Sequence, residues 1–68
     1  MFKHVYFDGC NGDQMGATYG FDEAVQFLIS KYPKFWTKES AIEALKEAQE
    51  DNEELRCEDE GMDRLIPV

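Results

Sequence analysis

Between Phe2 and Phe7 the side chains alternate, Val5 and Phe7 pointing one way and His4 and Tyr6 the other. A period of two in aromatic and β-branched residues predicts a β-strand. The strand stops at Asp8-Gly9, and the loop that follows to Asp13 holds the Asn11-Gly12 pair typical of tight turns. Residues 14–20 read equally as a returning strand weakened by glycine or as an extended loop. Beyond them the period changes to three and four. Phe21, Ala24, Val25, Leu28 and Tyr32 mark one face of a helix over about 22–32, with Asp22 as N-cap and Pro33 as its stop. Phe21 and Val25 then stand where a hydrophobic staple joins them. Phe27 falls about 120° off this face. An aromatic connector, Lys34-Phe35-Trp36, leads to Thr37, a second N-cap.

Ala41, Ile42, Ala44, Leu45, Ala48 and Leu55 predict the buried side of a second helix over about 38–55. Its clearest part ends near residue 49, and the remainder depends on an acidic stretch staying helical. Gly61 breaks the pattern. Leu65-Ile66-Pro67-Val68 reads as a short edge strand, the place where Pro67 is tolerated. This order of elements implies an α+β fold, a small two- or three-stranded antiparallel sheet packed against two helices. With 68 residues the chain makes one small domain over 1–68, with no room for a buried cofactor pocket.

Charge changes the picture more than composition does. A hydrophobic content of 43% and nine aromatic residues argue against a disordered chain. The net charge of -8 is concentrated: residues 1–46 carry six acids against five lysines, whereas residues 47–63 carry nine acids and only Arg56. On a helical wheel Glu39, Glu43, Glu47, Glu50, Glu54 and Glu58 share one side, which predicts an acidic stripe about 28 Å long. Such a surface repels nucleic acid and anionic membranes and favours basic protein surfaces.

Catalytic chemistry finds little support. His4 is the sole histidine, and Cys10, six residues on, has no third group to orient a nucleophile–base pair. His4, Asp8, Cys10 and Cys57 lack metal-ligand spacing, and the loop Asp8–Asp13 places Cys10 and Gly12 where a calcium loop needs oxygens. Gly9, Gly12, Gly16 and Gly20 match no phosphate-binding motif. No apolar run reaches the length of a membrane span or a secretory signal, so the chain is expected to begin at Met1 in the cytoplasm with both cysteines reduced.

The expectation is therefore a non-enzymatic chain without cofactor or metal. Its leading function is that of a stoichiometric inhibitor whose acidic face covers the basic nucleic-acid-binding surface of a target protein or complex. In type, though in no motif, it resembles phage-encoded inhibitors, including anti-CRISPR proteins, which act in the host cytoplasm. The partner-binding candidates are Glu43, Glu47, Glu50, Asp51, Glu54 and Glu58, with Phe27 and Trp36 as aromatic anchors. The alternative is a structural or regulatory interaction module that uses aromatic and apolar surface, as a monomer or a homodimer.

Overall fold

The computed structural model describes residues 1–58 and 62–68. The predicted break at Gly61 lies outside the described residues, as do Asp59 and Glu60. In chain order the elements are β1 (Phe2–Asp8), β2 (Gly12–Tyr19), α1 (Phe21–Lys31), α2 (Lys38–Asp51), β3 (Leu55–Arg56) and β4 (Asp63–Pro67). The fold is α+β, and the antiparallel sheet has four strands in the order β2-β1-β4-β3, one or two more than the sequence predicts.

β1 and β2 form a hairpin because the turn chemistry is local. The Asp8 carboxylate accepts the Cys10 N–H at 2.9 Å and the Asn11 side chain at 3.2 Å, which together hold its pKa below the ordinary value. Gly12 then takes φ +78°, a left-handed conformation open to glycine at little cost. The pairing slips by one residue between Lys3 and Val5, so β2 carries a bulge opposite His4. Gly16 belongs to this bulge for a steric reason: a Cβ there would stand 2.8 Å from Nδ1 of His4 and 3.2 Å from the His4 carbonyl oxygen.

Both helices start close to their predicted positions. α1 begins at Phe21, with Gly20 rather than Asp22 as N-cap, and Glu23 accepts the Gly20 N–H at 3.2 Å. Phe21 is thus the first helical residue, and the staple with Val25 does not form. Thr37 caps α2 as predicted, its Oγ1 accepting the Ser40 N–H while Ser40 Oγ accepts the Thr37 N–H.

α2 departs from prediction at its other end. It stops at Asp51, not near 55, because Asn52 adopts φ 55°, ψ 42° and the Glu53 N–H closes on the Ala48 carbonyl at 3.0 Å. The chain reverses there, and Leu55-Arg56, expected to be helical, become β3. β4 is correspondingly not an edge strand: it lies between β1 and β3. β3 pairs only with Leu65 and Arg64, so it ends short of Pro67.

One face of the sheet receives both helices, α1 over the β2 side and α2 against β3 and β4. Phe2, Leu28, Leu45, Cys57 and Leu65 are fully buried between them, with Ala24, Val25, Ala41 and Ala48 at the helix contacts. Small residues at those positions let the helices approach each other and the sheet. On the opposite face Val5 is only 4% exposed, although it faces away from the helices. Its cross-strand neighbours are Met15 and Arg64. The Arg64 guanidinium spans this face, reaching Asp13 of β2 at 2.8 Å and Glu54, just before β3, at 3.3 Å. No described helix is long and apolar enough to cross a membrane.

Candidate functional site

The acidic surface divides into three parts once α2 ends at Asp51. Glu43, Glu47, Glu50 and Asp51 lie exposed on α2 together with Glu39. The row from Glu39 to Asp51 is about 18 Å long at 1.5 Å per residue. The continuous stripe through Glu54 and Glu58 does not exist. Glu54 follows the helix and pairs with Arg64, which commits its carboxylate to the fold. Glu58 is half-buried in the bend after β3, beside Cys57 and Tyr32.

The remaining row is electrostatically unrelieved. The described ion pairs involve Asp13, Glu54 and Asp63, and none uses an α2 carboxylate. The last turn of α2 contains no base, although acids there oppose the negative end of the helix dipole. Glu47 and Asp51 converge with Glu53 and Glu54 around a shallow depression beside Leu55.

The aromatic candidates are not brought together. Phe27 is half-buried against the core, stacked on Tyr19 at 5.3 Å between centroids and tilted on His4 at 4.8 Å. Trp36 is also half-buried, and its indole N–H donates to the Cys57 carbonyl at 2.8 Å, tying the α1–α2 connector to the end of β3. Neither is a free anchor. Large exposed apolar side chains lie elsewhere, among them Phe35 and, on the helix-free sheet face, Phe7 and Met15.

A second arrangement has no counterpart in the sequence reading. The Asp63 carboxylate, 7% exposed as a residue, accepts from His4 Nε2 at 2.8 Å, from the Tyr32 hydroxyl and from Lys31 Nζ at 3.1 Å. An ionised carboxylate only accepts, so His4 carries its hydrogen on Nε2. Burial pushes the Asp63 carboxyl up, but the hydrogen bonds from Tyr32, His4 and Lys31 outweigh it and hold the pKa below its ordinary value. Burial and the bond to Asp63 raise the Tyr32 hydroxyl in turn.

Three elements meet at this carboxylate: β1 through His4, β4 through Asp63, and the end of α1 through Lys31 and Tyr32. The cluster opens on a depression lined also by Tyr6, Glu58 and Met62. Its bonds join β1, β4 and the end of α1. His4 spends Nε2 on Asp63, and the nearby Cys57 thiol is pushed up to about 12 by burial and by Asp63, which keeps it protonated. The sequence hides Asp63 inside a run of acids. The available signal was its alternation with Leu65 on the inward face of a strand.

Among the described residues no group of three or more His, Cys, Asp or Glu side chains is arranged to hold a metal. No protein-family model, curated protein or solved structure matches the chain.

Proposed function

We propose that this protein is a non-catalytic, protein-binding inhibitor that works stoichiometrically in the cytoplasm, presenting α2 to the basic nucleic-acid-binding surface of a partner. The observation that carries this reading is the unneutralised row Glu39, Glu43, Glu47, Glu50 and Asp51, exposed and unpaired among the described residues. Acids at four-residue spacing cost a helix a few tenths of a kcal/mol per pair. Surfaces kept only for solubility interleave both signs, and α2 offers only Lys38 and Lys46. A partner groove lined with Arg and Lys relieves the repulsion, speeds encounter and selects against other surfaces. By occupying that groove the helix denies it to DNA or RNA. The type of agent is that of a phage anti-defence or anti-CRISPR protein.

The test is affinity capture by the immobilised chain at low and high salt, repeated with the E43K/E47K/E50K/D51K variant. A basic nucleic-acid-binding protein released by salt and lost on charge reversal is the expected result. Retention of the same partner by the reversed variant would defeat the proposal.

A second reading, an interaction module or homodimer joined through apolar surface, draws on the helix-free sheet face. There Met15, across from Val5 on β2, is 68% exposed, and Phe7, two residues along β1, is 49% exposed. Its mark is a self-association insensitive to salt and abolished by Met15→Lys.

A further inference from the structure

At the edge of the sheet remote from α2, β2 has one paired side, towards β1, and no described strand on the other. At the Tyr19 end of this edge an open groove of about 620 Å³ runs along α1. It is lined by Tyr19 stacked on Phe27 and by Asp22, Glu23, Gln26 and Lys31 of α1. From Gln14 to Phe21 the chain carries no charged residue. A sheet edge of this kind offers unused N–H and C=O groups to an incoming extended chain.

We infer that this groove is a docking site for an extended segment of a partner protein, added to β2 as a further antiparallel or parallel strand, with an aromatic or long apolar side chain on Tyr19 and Phe27 and an Arg or Lys at Asp22 and Glu23. In strand addition the backbone bonds give affinity and the pockets beside the edge give specificity. An added strand directs alternate side chains towards the helix side of the sheet, which is where the groove lies. The charge of the groove selects the occupant: Asp22 and Glu23 line it without taking part in a described ion pair, Glu23 also accepting the Gly20 N–H, while the Lys31 cation that lines it too is balanced by Asp63 at 3.1 Å. The Phe27 ring already has a cation over it, Lys31 Nζ at 5.6 Å from its centroid, so a basic side chain is chemically compatible with this surface. The bulge at Gly16 limits the augmenting strand to one side of the kink, the Ala17–Tyr19 stretch beside the groove. This site lies at the opposite sheet edge from α2 and does not depend on the reading given to the acidic row.

The probe is a capped synthetic peptide alternating valine with arginine around a central phenylalanine, titrated into isotope-labelled protein and followed by amide chemical shifts. Its control replaces arginine by glutamate. Saturable shifts confined to β2 and α1, about tenfold weaker for the control, are expected. The groove variants Asp22→Asn and Gln26→Lys keep the fold, read by unchanged spectra elsewhere, and weaken the arginine peptide by a comparable factor. Absence of saturation, equal binding of both peptides, or shifts centred on α2 would overturn the inference. Concentration-dependent dimers that bury the β2 amides without peptide would overturn it too, by assigning the edge to a second copy.

Discussion

Asp63 is the residue on which the fold is most exposed to a single change. Its carboxylate satisfies three donors from β1 and α1, so Asp63→Asn leaves a buried acceptor short of charge and at least one donor unpaired. Losing such a hub costs about 2–4 kcal/mol, whereas Asp13→Asn, on an exposed carboxylate, costs about 0–1 kcal/mol. Chemical denaturation of both variants separates the two. The pH dependence follows from the sign of the shift. A folded-state pKa held below the ordinary value means that the stabilisation is present above about pH 4 and is lost as the pH falls through the lower, folded-state value. The difference in stability between the wild type and the Asp63→Asn variant therefore shrinks on acidification, and a difference that stays constant down to pH 2 would show that Asp63 titrates as it does in the unfolded chain.

Elements were legible wherever the signal was local. The alternation Phe2–Phe7, the face Ala24-Val25-Leu28 and the Thr37 cap each encode their element within a few residues, and each forms. What was not legible depends on partners far along the chain. Leu55 fits the apolar period of α2, and only the left-handed Asn52 diverts it into β3, a strand too short to announce itself. β4 reads as an edge because Pro67 suits one, yet its position between β1 and β3 is set by pairings some sixty residues apart, such as Lys3 with Ile66. The acidic row was legible in part: periodicity places Glu43, Glu47 and Glu50 together but extends them past the cap to Glu54 and Glu58. The cap itself is testable. Asn52→Gly preserves the left-handed turn and the stability, while Asn52→Val costs about 1–2 kcal/mol at this conformation, lowering Tm by about 4–8 °C for each kcal/mol in a domain of this size.

For the molecule as a whole, the two cysteines form a built-in gauge of opening. Cys10 is exposed at the β1–β2 turn, and Cys57 is fully buried with its thiol pushed up to about 12. A thiol reagent is expected to modify Cys10 at once and Cys57 only through unfolding, so that the slow phase tracks global stability. A second fast thiol in native buffer would mean that the corner joining β3, Trp36 and Cys57 opens by itself.

The pairing of β1 with β4 has a kinetic side. The hairpin and both helices close short loops, but the sheet is complete only when residues 2–6 meet residues 63–67, a long closure that comes with a large loss of chain entropy. Until that meeting, the inward face of the hairpin, with Phe2 and Tyr19, has no β4 beside it, and β1 offers one open side where the finished sheet leaves it none. Species of this kind aggregate when they encounter their own copies. A chain carrying eight net negative charges approaches its copies only against repulsion. The acidity through which the folded protein is proposed to meet a basic partner thus also guards it during the interval before its own strands have found each other.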